Sequence, residues 1–398
     1  MHLKGRQKMT GEFETQLQTI RRKLHQMPEL GFQEVETKAF IASYLRDLGL
    51  DVYDDGSGVI ATLEAGGGNR AIAFRADMDA LPITETSTHH YISQQPGKMH
   101  ACGHDGHMTM LLGAAKLLKT DPDFNGKIIF IFQPNEENGL GAKAMLAEGL
   151  FHEFKVDEIY AIHNLPNKPL GEISTKVGQI CASESLFEIT ITGQGGHAAM
   201  PHLGADAITV GAEIITSLQT IASRKMPPSS SVVVSVTEFL TDGMRNVLAG
   251  KAVIKGDVRC RLPEHRHMVE QYMRQIVSGI AAAHHVEAHT SFHTEFVEVI
   301  NAKAPVEAVV KTAHSMGLTA IDDCDAMNFS EDFAHFSNEV QGCFFLMGNG
   351  LDGPHAKPLH ASDYDFNDDL LPIGAAFWAE LAKQQLPNTN DKESRKDG

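Results

Sequence analysis

The sequence predicts an α/β fold with a mostly parallel sheet, interrupted by an inserted α+β domain of ferredoxin-like type. Three observations predict it. Lys127–Phe132 (KIIFIF) and Ile159–Ile162 are near-continuous apolar runs, as in strands buried on both faces, and helical patterns alternate with them. Residues 187–292 read as β-α-β-β-α-β, the split βαβ order. After Asn301 the α/β signals return. An insert that begins and ends on a strand keeps its termini close, which suits insertion into a host. The expected division is therefore 1–181 with 295–398, the larger domain, and 182–294, the insert.

The elements follow in order. Phe13, Leu17, Ile20 and Leu24 recur at helical spacing, as do Phe40, Ile41, Tyr44, Leu45 and Leu48, with Gly49 placed to stop the second helix. Val59–Leu63 and Ala71–Phe74 read as strands flanking the turn AGGGN. Met108–Leu118 is an apolar helix and Gly141–Glu148 a short one. In the insert, Phe187–Thr192, Ser231–Phe239, Ala252–Arg261 and Val286–Phe292 are strand-like, and Ala205–Ser223 and Met268–His284 helical. The last segment offers helices at Ala304–Met316, from Glu331 and at Leu371–Gln385, with a strand at Cys343–Met347. The polar end PNTNDKESRKDG reads as a frayed tail.

Length and composition narrow the function. The chain has 398 residues, enough for two or three domains. Its net charge of −17 opposes binding to a nucleic-acid backbone or an anionic membrane surface. The start lacks the h-region of a secretory signal, and no apolar stretch approaches the ~20 residues of a membrane span. Five cysteines, none in a CxxC pair, fit a reduced, cytoplasmic setting. The 21 histidines prompt a search for metal ligands.

Several chemical residues fall in loops after apolar strands, where α/β sheets bind their ligands. Asp77 and Asp79 follow AIAF in RADMDALP. Cys102 and His104 straddle a glycine in MHACGHDGH, so thiolate and imidazole reach neighbouring positions on a metal. Glu136 and Glu137 follow KIIFIF; a cation relieves their repulsion, and one can bind it while the other moves a proton. Alone, the pair also reads as an acidic helix start. His163 ends a strand and His360 lies in KPLHASD. Taken singly each histidine reads as structural; together these N, S and O donors suggest two metals. The turn TGQGGHAAMPH lacks the spacing of a nucleotide loop, and its His197 is either a substrate contact or a surface histidine.

The motifs RRKLHQMPELGFQE, FRADMDALPI, MHACGHDGHMTMLLGAA, FIFQPNEENGLGAKAMLAEG, TGQGGHAAMPH, GMRNVLAGKAVIKGDVRC and NFSEDFAHF occur in series between about Arg21 and Gln385. In this the sequence resembles the M20 metallopeptidase family, subfamily D. That group holds N-acyl-amino-acid amidohydrolases, hippurate hydrolases and auxin-conjugate hydrolases. The resemblance implies a zinc-peptidase-like catalytic domain with an inserted lid and dimerisation domain. It also implies two divalent ions per subunit (zinc, manganese, cobalt or nickel), held by Cys102, His104, Glu137, His163 and His360. By the same resemblance Glu136 is the general base, Asp79 orients the metals, and His197, Asn246 and Arg259 touch substrate. A homodimer, or a dimer-based oligomer, is implied as well. Departures are Asn135 where alanine is usual, Asn138 at the start of the glycine run, and Ala161-Ile162-His163 in place of a Gly-Leu-His sequence.

The expected reaction is hydrolysis of the amide bond of an N-acetyl or N-aroyl amino acid. A dipeptidase or carboxypeptidase on the same scaffold is the alternative. A non-catalytic metal-binding scaffold is the remote one, since every ligand and the base are retained. The acidic stretch Asp322-Asp323-Cys324-Asp325 favours a diamino acid substrate if it faces the pocket, and is plain surface otherwise.

Overall fold

The computed structural model describes residues 11–388, so the expected C-terminal tail lies almost wholly outside the described residues. The chain divides into two units. One runs to Ile180, resumes at Ile300–Asp325 and continues from Asp332; the other is Cys181–Val299 with Ala326–Glu331. The short second return is held by backbone pairing of Cys181 with Met327 and by a hydrogen bond from Ala182 N to Phe329 O, 3.2 Å.

In the larger unit, strand length follows apolar content. The strands are β1 (Asp51–Tyr53), β2 (Val59–Ala65), β3 (Ala71–Asp77), β4 (Gly126–Gln133), β5 (Glu158–Pro166) and β6 (Ile173–Ser174). Strands Ala320–Ile321 and Gly342–Gly350 follow. They form one sheet in the order β1, β2, β4, β3, β5, 342–350, β6, 320–321. Its middle four strands, β4, β3, β5 and 342–350, are parallel. The junctions β1–β2, β2–β4 and 342–350 with β6 are antiparallel. The sheet is thus mixed, with a parallel centre. The parallel strands are almost wholly buried, as continuous apolar runs require. Within this sheet, β1, β6 and 320–321 escape sequence reading because two or three residues show no period.

Helices cover the sheet. The stripe Phe13, Leu17, Ile20 and Leu24 of α1 (Gly11–Gln26) is buried. After α2 (Val35–Asp47), α3 (His104–Thr120) packs against α1 and against the helix Leu370–Gln385. Trp378 of that last helix lies 4.6 Å from Phe74 of β3 and 5.6 Å from Phe345, ring to ring.

The smaller unit has the predicted β-α-β-β-α-β order. Its strands Val232–Thr241, Lys251–Cys260, Ser183–Thr192 and Glu287–Phe296 lie in that order, each antiparallel to its neighbour. Ser183–Thr192 buries alternate residues, the mark of a sheet with one covered face. The cover is Ala207–Thr220 and Pro263–Ala283, whose Val210, Ile214, Leu218, Val269 and Met273 join Phe187, Ile189 and Ile254 in one core. Asp206 caps the first helix by accepting from Ile208 N at 3.1 Å.

Candidate metal centre

Because β4, β3, β5 and 342–350 run parallel, the loops at their carboxyl ends share one edge of the sheet. Asp77 closes β3 and Asp79 follows it; Glu136 and Glu137 follow β4; His163 lies within β5. Cys102 and His104 sit at the start of α3, and His360 in the loop after 342–350. The pair Glu136–Glu137 lies in a turn and not at a helix start.

The donors converge. Cys102, His104 and His163 form one group whose ligand atoms lie within 4.8 Å of one another; Cys102, Glu137 and His360 form a second, and His104, Glu136 and Glu137 a third. Cys102 Sγ is 3.4 Å from His163 Nε2. Glu137 Oε1 is 3.9 Å from His104 Nε2 and 3.4 Å from His360 Nε2. The overlap of these groups fits two divalent ions better than one.

Each ring is aimed from behind. His104 Nδ1 donates to the Asp79 carbonyl at 2.8 Å, and His163 Nδ1 to the Asn164 carbonyl at 2.8 Å. Both bonds turn Nε2 toward the cluster. Asp79 Oδ2 also accepts from Glu137 N at 3.0 Å, tying the β3 loop to the β4 loop. The Glu136 turn is braced by Asn135, whose backbone is left-handed (φ 48°) and whose N–H donates to buried Glu34 at 2.8 Å. Burial pushes the Glu34 carboxyl up to about 7. Asn138 Nδ2 donates to Asn135 Oδ1 at 2.6 Å, so the two departures from the family pattern bond to each other. His360 is also left-handed (φ 66°) and is held by its N–H to Ala101 O, 2.8 Å.

Gly103 is required between Cys102 and His104. Its φ of 94° is left-handed, and a Cβ there would collide with the side chain of Asn164. Gly103→Ala is expected to lower stability by about 1–2 kcal/mol from backbone strain alone, and further from the collision. Thermal melting with metal analysis checks this; an unchanged melting temperature and metal content would contradict it.

The residues present fit a cation. Buried His104 Nε2, Glu137 Oε1 and Asp79 Oδ1 have no hydrogen-bond partner. Burial, then the charges of Glu137, Glu136 and Asp77, push the Cys102 thiol well above its usual range. Burial opposes charge on His104, but Asp77, Asp79 and Glu137 outweigh it and raise the imidazole to about 10. Burial and nearby His107 push His163 well down. A cation resolves these conflicts, deprotonating thiol and imidazole and offsetting the carboxylates.

The sequence offers Asp77 with Asp79 to ligate a metal or orient a ligand and His107 within a metal-binding run, and does not reveal that the two bond to each other. Asp77 Oδ1 is 2.7 Å from His107 Nδ1 and 3.8 Å from His104 Nε2, and His107 Nε2 meets Asn164. The spacing held the signal: Asp77 and Asp79 share a face in extended chain, and His104 and His107 share one on a helix. Fully buried Arg75 donates to Asp77 (2.6 Å), Gln133 (2.7 Å) and Asp332 (3.1 Å).

The remaining expected site residues lie in the smaller unit. His197 is exposed and pairs in register with Val247, next to Asn246, whose carbonyl accepts from Ala198 N at 3.1 Å. Arg259 donates to Glu184 (2.7 Å), Asp257 (2.9 Å) and Ser330 (2.9 Å). In the larger unit, Asp322, Asp323 and Asp325 are exposed, and Asp323 pairs with Lys176 at 3.3 Å.

A parallel sheet edge that gathers thiol, imidazole and carboxylate donors for two ions, with a further carboxylate beside them, defines a dinuclear metal-dependent hydrolase. The comparisons agree. Residues 73–384 match the model of peptidase family M20/M25/M40. The chain is 36% identical to a hippurate hydrolase of Campylobacter jejuni subsp. jejuni over 384 residues, covering 95% of this chain and 97% of the relative. It is also 36% identical to an N-acetyl-L-cysteine deacetylase of Bacillus subtilis, with 96% and 90% covered. A crystal structure of a dinuclear metal-binding peptidase of the M20 family from Bacillus subtilis superposes with a TM-score of 0.84 at 32% identity, covering 95% of this chain and all of that one. The chain belongs to peptidase family M20/M25/M40, and its relatives and donor clusters support a metal-dependent amidohydrolase of the subfamily D type.

Proposed function

We propose that the protein hydrolyses the amide bond of N-acyl amino acids, with an acetyl or aroyl acyl group, to a carboxylate and a free amino acid. The observation that carries this reading is the convergence of Cys102, His104, Glu137, His163 and His360 with a further buried carboxylate, Glu136, at the same cluster. Cys102, His104, Glu137, His163 and His360 would hold the divalent cations, which would supply Lewis acidity that lowers the pKa of water toward ~7 and polarises an acyl carbonyl. Glu136 accepts the proton of the attacking water and delivers it to the departing nitrogen. Glu137 stays a ligand, and Asp79 keeps His104 and Glu137 in place. Cys102 favours zinc, while the other donors also accept manganese, cobalt or nickel.

Residues 182–294 act as the lid and dimerisation domain, inserted between 1–181 and 295–398. His197 Nδ1 accepts from Ala199 N at 3.0 Å, which leaves the ring proton on Nε2, the tautomer that donates to a developing oxyanion. It acts in its own subunit or across a dimer. Asn246 and Arg259 hold the substrate carboxylate, with the Arg259 plane fixed by Glu184, Asp257 and Ser330. A homodimer is supported by the edge strand Val232–Thr241, which exposes Val233, Phe239 and Leu240. A cytoplasmic setting is supported by five unpaired, buried cysteines. No helix among the described residues is long and apolar enough to cross a membrane.

The test is metal analysis joined to a panel of N-acetyl and N-benzoyl amino acids and dipeptides. Chelation is expected to abolish hydrolysis and a divalent ion to restore it, with N-acyl amino acids cleaved in preference to dipeptides. Full activity after verified metal loss would overturn the metal assignment. Faster turnover of dipeptides would instead establish the dipeptidase alternative.

A further inference from the structure

The loop between β3 and α3 carries donors that the centre above does not use. Glu85 Oε1 accepts from His25 Nε2 on α1 at 3.2 Å and lies 3.1 Å from His89 Nε2. Neighbouring ligand atoms around a tetrahedral ion with bonds of ~2.0–2.1 Å stand about 3.3 Å apart. Asp365 Oδ1 is 4.0 Å from His89 Nε2.

Two independent features prepare this cluster for a ligand. Buried His25 donates from Nδ1 to Asp105 Oδ2 at 2.8 Å, the carboxylate–imidazole pairing that orients metal-binding histidines. His89 is fixed by stacking on Tyr91 at 3.9 Å, and Tyr91 OH donates to Asp365 Oδ2 at 2.7 Å. Yet neither buried ring nitrogen of His89 has a hydrogen-bond partner. Its Nε2 lies 3.1 Å from Glu85 Oε1, within reach of a shared ion.

The charges point the same way. Asp105, Asp365 and Asp368 gather around Arg21 and Arg22, and Glu85 meets His25. Four carboxylates thus share two guanidinium groups and the His25 ring, both of whose nitrogens meet carboxylate oxygens.

We propose that His25, Glu85 and His89 form a third divalent-cation site, separate from the hydrolytic pair, which takes a zinc-like ion with Asp365 or solvent completing it. Two imidazoles and one carboxylate are a donor set zinc accepts. The site is structural. It pins the irregular segment after β3 to α1, alongside the contact of Thr86 N with Ser362 O at 2.8 Å.

The test compares wild type with His89→Phe and Glu85→Gln. His89→Phe keeps a ring on Tyr91 and removes the donor. The metal-loaded proteins are equilibrated against buffered zinc, and bound zinc is counted. Wild type is expected to hold one equivalent more than either variant, while His89→Phe keeps its hydrolytic rate. With the hydrolytic pair cobalt-loaded in both proteins, wild type is expected to show a visible-absorption increment, one further cobalt's worth, over His89→Phe. Equal zinc content in wild type and a folded His89→Phe, at every free-zinc level tried, would overturn the proposal. Because this readout is stoichiometry, its failure leaves the hydrolytic assignment standing.

Discussion

Glu136→Gln is expected to lower kcat by about 10²–10⁴-fold, the range for loss of a general acid–base, while metal content and melting temperature stay close to wild type. The amide keeps the size of the side chain at this buried position but cannot hold the proton in transit. The neighbouring carboxylate provides the control. Glu137 Oε1 faces both His104 and His360, so Glu137→Gln is expected to lose metal together with activity. Steady-state kinetics paired with metal analysis separates the two. A Glu136→Gln enzyme with full metal and full rate would remove Glu136 from the chemistry.

Arg75→Met is expected to destabilise the protein by roughly 3–5 kcal/mol, the cost of leaving buried charges without their partner. Arg75 is fully enclosed between Asp77 and Asp332, both equally enclosed. Removing it also loosens Asp77, which supports His107 and faces His104. The pH dependence follows from sign. Burial raises the Asp77 carboxyl, but His104, Arg75 and His107 together hold it well below the usual carboxylate range. A depressed carboxyl contributes stability that is complete above its unfolded pKa, about 3.9, and is lost as pH falls toward the lower folded value. Wild type should keep this contribution until the pH drops below about 4. In Arg75→Met Asp77 returns toward ordinary titration and this contribution is absent, so the stability gap from wild type should narrow as pH falls below about 4. Denaturant unfolding at a series of pH values measures it, and parallel curves for the two proteins would contradict the assignment.

The residues that anchor this account differ in how far the sequence reveals them. KIIFIF and EIYAI announce buried strands because only apolar side chains survive between two covered faces, and chemical residues following them belong to a sheet edge. Cys102 and His104 are legible because one glycine separates two strong donors. Arg75 is not legible in this way: its partner Asp332 lies 257 residues away, and no local period encodes such a contact. The same holds for the bond of Asn135 N to Glu34, 101 residues apart. The strands Asp51–Tyr53, Ile173–Ser174 and Ala320–Ile321 are set by pairing with neighbours and not by their own composition.

The donors are strewn from Asp77 to His360, and the helix Leu370–Gln385 that packs on α3 comes later still. A ribosome must therefore deliver nearly all of the chain before the cradle can close. Loading follows synthesis, and a product that ends short of His360 lacks one wall of the cradle.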